Sequence, residues 1–191
     1  MAAIRLASAS PRRAQLLTEL GIDFVVAPAD IDERRHPPET PLTYVRRMAL
    51  TKASVGVAQA PSDLSTAVLA ADTIVVRGGR VLGKPIDESD AVGMLLDLSD
   101  LTHQVYTAVA IRRGVQQGFA CVCTDVSFRS VSMQEARAYW STGEPVDKAG
   151  GYGIQGAASK FVKKINGSYT NVVGLPLYET RCLLRALQVL V

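Results

Sequence analysis

The sequence is short of the features that mark the simplest protein classes. No apolar run reaches the length of a membrane span. Arg5, Arg12 and Arg13 break up the early apolar residues where a secretory leader needs an unbroken core. Both absences point to a soluble, cytoplasmic protein with no membrane partner. Cysteine is scarce: Cys121, Cys123 and Cys182 are an odd number at no framework spacing, which excludes a disulfide-built fold and fits a reducing compartment. Cys121 and Cys123 lie two apart in an apolar run and are expected on one strand face as small buried hydrophobes, with metal or redox use as the alternative. The two histidines, His36 and His103, have no triad context; the first is expected on a loop surface and the second at a strand start. There is no H-E-x-x-H, no zinc-type cysteine pattern and no G-x-S-x-G elbow. Aromatics make up 6% and the formal charge is only +3, which argues against the aromatic–basic stripe of a nucleic-acid binder.

What is present is an ordinary globular chain. Its 191 residues, 48% hydrophobic and 20% charged, suffice for a substantial core without staples. No repeat, low-complexity tract or linker divides it, so residues 1–191 read as one domain, or one domain with two lobes. Apolar β-type runs alternate with helical patterns, which argues α/β. Ala3 to Ala7 reads as a strand; Ser10 stands at an N-cap position, Pro11 opens a helix and Gly21 follows its end. Phe24 to Ala27 reads as a strand and residues 28–41 as a proline-rich loop. Thr40 and Pro41 start a helix running to about Ala58, and Pro61 to Ser65 is a turn. Ala67 to Val76 and Arg80 to Leu82 form a hairpin about Gly78-Gly79, followed by a helix over Asp87 to Leu98. His103 to Arg112 and Phe119 to Phe128 read as long strands joined by a loop holding Gly114 and Gly118. Ser132 with Glu135 spells a capping box, and Gly143 stops the helix it opens. After a glycine-rich loop, Phe161 to Ile165 and Tyr169 to Val173 read as a hairpin about Asn166-Gly167, and Pro176 opens a helix to the C-terminus.

Several residues carry possible chemistry. In Ser8-Ala9-Ser10-Pro11-Arg12-Arg13 a strand ends, hydroxyls line a turn, and a helix opens with two arginines. Helix N-termini attract phosphate, and arginines there oppose the dipole unless an anion is present. A capped helix with solvated arginines accounts for the same residues equally well. Lys52 falls beside Val45 and Met48 at the edge of an inward helical stripe, where its head must reach water or an anion; a snorkelling lysine is the alternative. Asp72 interrupts the apolar run Ala67 to Val76, which is costly unless it meets a metal or a paired charge; the alternative is an aspartate that ends a strand and caps a turn. Lys84, in Leu82-Gly83-Lys84-Pro85, follows the returning hairpin strand and is expected to come back near Asp72, or else to be an exposed turn lysine. Asp30, Asp32 and Glu33 add oxygen ligands suited to Mg²⁺ or Mn²⁺. Gly151-Tyr152-Gly153-Ile154-Gln155-Gly156 satisfies G-x-G-x-x-G, yet no strand precedes it and no helix follows with an acid at the required distance, so it is not a dinucleotide fingerprint. Its glycines are expected to let backbone approach a ligand, with Gln155 as the polar reader.

In order along the chain, LASASPRR (Leu6 to Arg13), AADTIV (Ala70 to Val75), LGKP (Leu82 to Pro85), THQVYTAV (Thr102 to Val109), DKAGGYGIQG (Asp147 to Gly156) and NVVGLPL (Asn171 to Leu177) resemble the Maf family of nucleotide pyrophosphatases nearly end to end. The resemblance implies an inosine triphosphatase-like α/β fold, with an elongated mixed sheet flanked by helices and two lobes around a deep cleft. It also implies metal-dependent cleavage between the α and β phosphates, with Mg²⁺ or Mn²⁺ as cofactor and a homodimer as an option. Asp72 takes the family's proton-acceptor position. Arg12, Thr73 and Gln155 match positions tied to base selection in the dTTP/UTP branch. Ser8, Arg13, Lys52 and Lys84 match the phosphate-binding set, and Glu33, with Asp72, a carboxylate at the metal. The Tyr-Gly-Ile-Gln pattern favours pyrimidine triphosphates, modified ones included, over 7-methyl-GTP. The expected partner is therefore a small-molecule nucleoside triphosphate and not nucleic acid. A nucleotide-binding regulator of growth or division without turnover would use the same cations. Asp72 argues against it, because an acid beside phosphates repels them unless a metal intervenes.

Overall fold

The computed structural model describes residues 4–60 and 66–190. In chain order the elements are β1 (Ile4–Leu6), α1 (Pro11–Glu19), β2 (Phe24–Val26), α2 (Pro41–Ala58), β3 (Ala67–Arg77), β4 (Arg80–Leu82), α3 (Glu88–Leu98), β5 (Thr102–Arg113), β6 (Gln116–Phe128) and α4 (Met133–Trp140). Three short 3₁₀ segments, Glu144–Asp147, Ala149–Gly151 and Ala157–Phe161, then lead to β7 (Val162–Asn166), α5 (Tyr169–Val173) and α6 (Leu177–Ala186). The sheet is seven-stranded and mixed, in the order β2-β1-β3-β5-β6-β7, with β4 paired to β3. β1 runs parallel to both β2 and β3, while β3–β4 and β6–β7 are antiparallel. The α/β expectation holds. The turn expected over Pro61 to Ser65 and the Ala3 end of the first strand lie outside the described residues.

The chain divides into two compact units. The first takes the residues up to Asp72, Thr107–Val122 and Gly174 onward; the second takes Thr73–Tyr106 and Cys123–Val173. In the first unit, Ile4 and Leu6 of β1, the wholly apolar start of β3 and Ala108–Ile111 of β5 are buried. Helix α2 lies close on this core. A Cβ on Gly56 would stand 2.7 Å from Val68 Cγ1 and 3.0 Å from the Ala7 Cβ, so only glycine allows that approach. Four residues back on the same helix face is Lys52, and four residues on along β3 is Asp72. At α6, Leu183 and Leu187 pack on Gly118 of β6, and Arg113 donates to the carbonyls of Leu187 (2.9 Å) and Gln188 (2.7 Å), a cation at a helix C-terminus. Gly118 therefore lies inside a strand, and the turn between β5 and β6 is Gly114-Val115 alone.

The second unit is built around an aromatic cluster. His103 and Phe128 stand edge-to-face at 5.0 Å, Phe128 and Tyr152 at 4.9 Å, and Tyr139 and Phe161 at 5.6 Å. The Ser132–Glu135 capping box forms as expected. The hairpin expected beyond Asn166-Gly167 does not. β7 pairs with β6, and Tyr169–Val173 is the short helix α5. A side-chain network overrides the β-branched composition. Ser168 Oγ accepts from Asn171 N, and Asn171 Nδ2 donates to the Val105 carbonyl (2.9 Å) and to Thr124 Oγ1 (2.9 Å). Two other expectations are corrected. Cys121 and Cys123 are exposed rather than buried, as is Cys182. And α6 stops at Ala186, short of the C-terminus. His103 stands at the start of β5, as expected, and is buried in the cluster, 1% exposed, with Nε2 at 2.7 Å from the Tyr152 hydroxyl.

Candidate active site

The first unit gathers most of the expected residues. Helix α1 begins at Pro11, whose missing N–H costs nothing there. Ser10 occupies the N-cap position, but its hydroxyl makes no capping bond. The hydroxyl that works is that of the buried Ser8, which accepts from Ser10 N at 3.3 Å and from Arg13 NH1 at 2.9 Å. Arg13 Nε donates to the Gly174 carbonyl at 2.8 Å, which ties the Leu6–Arg13 segment to the Asn171–Leu177 segment far along the chain. Burial lowers the Arg13 pKa; the charges of Asp72 and Glu33 oppose that shift and Arg12 adds to it, so all four charges share one field. Arg12 is half-buried at the second position of the same helix.

Lys52 is the hub. Its head is drawn out of water, with the residue 8% exposed, and Nζ meets two carboxylates, Asp72 Oδ1 at 2.7 Å and Glu33 Oε1 at 2.6 Å. The Asp72 side chain is 13% exposed and that of Glu33 49%. The question left by the sequence, how an apolar strand tolerates Asp72, is answered by this paired ammonium. Glu33 belongs to the proline-rich loop, and that loop is held by residues that carried no signal in the sequence. The Tyr44 hydroxyl donates to the Glu33 carbonyl at 2.7 Å. Arg47, one turn on in α2, pairs with Glu39 and donates to the Arg34 carbonyl at 2.9 Å. Burial, with Asp72 and Glu33 nearby, pushes the Tyr44 pKa up to about 12, so it stays a protonated donor. A tyrosine and an arginine three residues apart near a helix start look like ordinary surface residues until the loop they hold is known.

Thr73, Lys84 and Gln155 belong to the second unit. Val75 pairs with Leu82, and that register, carried two residues further, sets Lys84 level with Thr73. Lys84 itself is exposed just past β4. The Gly83 carbonyl accepts from Gly150 N at 2.9 Å, which ties the end of β4 to the glycine-rich loop. Gly150, at φ +69°, has no room for a side chain: its Cβ would lie 2.9 Å from the Val75 side chain. Gln155 is exposed at the crest of the loop, whereas Tyr152 and Ile154 are buried beneath it. Those two therefore support the loop from below. At Gly150 and Gly156 the missing side chains make room for Val75 and for the carboxylate of Glu144.

The family model described as "Maf-like protein" matches residues 3–187. A "dTTP/UTP pyrophosphatase" of Saccharophagus degradans is 52% identical over 185 residues, spanning 96% of this chain and 88% of that protein. Proteins of the same name from Pectobacterium atrosepticum and Pseudoalteromonas translucida are 54% and 51% identical, over 94% and 96% of this chain and 90% and 96% of theirs.

Proposed function

This chain belongs to the Maf family, and from that premise we propose that it is a nucleoside triphosphate pyrophosphatase that cleaves dTTP and UTP to the monophosphate and pyrophosphate. One observation carries the proposal down to the residues: Asp72, inside an apolar strand, and Glu33, on a braced loop, converge on the single ammonium of Lys52. A binding protein gains nothing by burying an acid where a polyanion must sit. A hydrolase needs that acid to handle the proton of a water.

The donor set fits a hard divalent ion. Two carboxylates meet at one point now held by a cation. No group of three or more His, Cys, Asp or Glu able to hold a metal occurs among the described residues. Mg²⁺ takes one or two carboxylates and fills its shell with water and substrate phosphates, so a pair such as Asp72 and Glu33 could serve it. Asp72 and Glu33 would hold Mg²⁺ or Mn²⁺, which when bound neutralises charge on the phosphates and the departing pyrophosphate.

The chain's own residues do the rest. Lys52, released from its carboxylates, turns its ammonium to a phosphate oxygen. Arg13, fixed by Ser8 and Gly174, keeps a positive charge at the start of α1, and Arg12 and Lys84 offer further cations to the chain of phosphates. Asp72 accepts the proton of the water that attacks the α-phosphorus, and pyrophosphate leaves without a covalent enzyme intermediate. Gln155 reads the base. Its carbonyl accepts from N3–H of uracil or thymine and its amide donates to a neighbouring carbonyl, whereas cytosine presents the opposite pattern at N3 and N4. Thr73 and Arg12 are further candidates for base selection. The setting proposed is the cytoplasm, with a small molecule and not nucleic acid as substrate; no helix among the described residues is long and apolar enough to cross a membrane. The test is to incubate a panel of triphosphates with the protein and Mg²⁺ or Mn²⁺ and assay pyrophosphate. The proposal fails if dTTP and UTP are not cleaved, or if orthophosphate is the first product.

A further inference from the structure

The glycine-rich loop satisfies G-x-G-x-x-G, but an anion of the protein's own already occupies its turn. Glu144 reaches into the turn that carries Gln155. Its Oε2 accepts from Ala157 N at 2.9 Å, and its Oε1 accepts from the Tyr139 hydroxyl at 2.7 Å. That hydroxyl in turn accepts from Gly153 N at 3.1 Å. The two backbone N–H groups flanking Gln155, two residues before it and two after, are therefore tied to one carboxylate, directly or through one hydroxyl. Tyr139, fully buried against Phe161, supplies the fixed end of this arrangement.

Gly156 gives the clearest sign. Its backbone is extended, at φ −103° and ψ −151°, which any residue adopts. Its lack of a side chain is instead a matter of space: a Cβ there would stand 2.2 Å from both carboxylate oxygens of Glu144. Gly153 is nearly as tight, at 3.1 Å from Oε1. The turn closes around the carboxylate, and Gln155 stands exposed on its outer side.

We infer that Glu144 is the positioning residue for base selection, its carboxylate holding the turn Gly153–Ala157 in the one shape that presents the Gln155 amide to a pyrimidine. This rests on the reading of Gln155 given above. Glu144 touches no substrate; it acts through the loop. Its removal should therefore change which base is accepted more than how fast the phosphates are cut.

The experiment is a double-mutant cycle on Glu144→Ala and Gly156→Ala, with kcat and KM measured separately for UTP and CTP. Each single variant should lower the UTP-to-CTP ratio of kcat/KM by about tenfold or more, chiefly through KM for UTP. In Gly156→Ala the new Cβ expels the carboxylate; once Glu144 is alanine that Cβ has room. Gly156→Ala should then change the ratio by less than about twofold in the Glu144→Ala background. Glu144→Gln, which keeps an acceptor for Ala157 N–H, should retain most of the ratio. Gly93→Ala, which meets nothing within 4 Å, is the neutral control. Additive effects, or an equal loss of kcat on both substrates, would overturn the inference. Amide exchange at Gly153 and Ala157 is a readout independent of the base. It should quicken in both single variants, and unchanged protection would overturn the role of Glu144 even if Gln155 proved not to read the base. A wild-type protein indifferent to UTP and CTP would refute the Gln155 reading instead, and the exchange rates would still decide on Glu144.

Discussion

Replacing Asp72 with asparagine should separate catalysis from folding, because Lys52 has two anionic partners. In the native protein Nζ donates to Asp72 at 2.7 Å and to Glu33 at 2.6 Å. In Asp72→Asn the amide oxygen still accepts from Nζ, and Glu33 still supplies the opposing charge. The loss is the step from an ion pair to an ammonium–amide hydrogen bond, about 1 kcal/mol. A buried lysine left with no partner would cost about 3–5 kcal/mol. In a chain of this size the smaller figure corresponds to a fall in melting temperature of about 2–4 °C. Turnover should behave quite differently. An amide cannot take up a proton, and removing a general base costs about 10²–10⁴-fold. The assays are pyrophosphate release from dTTP, a thermal melt, and calorimetric binding of dTTP, which should persist. Turnover within about threefold of wild type would refute the role of Asp72 as proton acceptor. A melting temperature lower by more than about 10 °C would refute the claim that Glu33 shares the lysine.

Three further outcomes are expected. Gln155→Glu should lower kcat/KM on UTP and narrow the gap to CTP, since a carboxylate accepts from the cytosine N4 amine but repels O4; an unchanged ratio would move base reading to Arg12, Thr73 or the backbone. Tyr44→Phe leaves the Glu33 carbonyl without its 2.7 Å donor and should cost about 0.5–1.5 kcal/mol of stability while raising the metal concentration that half-saturates activity; an unaltered Mn²⁺ titration would show that the loop holds Glu33 without Tyr44. His103 is buried, and burial, with Arg77 nearby, lowers its pKa to about 4, against about 6.5 for an unfolded chain. The unfolded state takes the proton first, so stability should be intact above pH ~6.5 and fall as pH drops through ~6.5 to ~4, by up to about 3 kcal/mol. The slope in that window should flatten in His103→Gln, and identical pH profiles for the two proteins would refute this origin.

The sequence showed its helices where punctuation and period agreed. Thr40-Pro41 and the Ser132–Glu135 box mark true helix starts, and the apolar run about Asp72 marks a true buried strand. It misled where tertiary bonds outweigh local preference. Tyr169–Val173 has the composition of a strand, but Asn171 is bound to Val105 and Thr124, partners 66 and 47 residues away, and the segment coils. Lys52 and Asp72 were legible as costly residues, though not as partners of each other, because the close approach of α2 to β3, as at Gly56, shows only in the fold. Glu33 was legible through the family pattern, while Tyr44, Arg47 and Glu144 were silent. Each acts through backbone groups or a side chain distant in sequence, and such bonds leave no spacing to read. The context of the G-x-G-x-x-G pattern tells against a dinucleotide site, but the carboxylate that Gly153 and Gly156 make room for shows only in the fold.

The most direct test of the account is product analysis of the wild-type protein with dTTP, UTP, CTP and purine triphosphates at equal concentration, with Mg²⁺ or Mn²⁺ and again with excess chelator. The account predicts pyrophosphate and monophosphate from dTTP and UTP, much slower cleavage of the others, and none with chelator. Binding of dTTP and UTP without turnover, or turnover that survives the chelator, would contradict it.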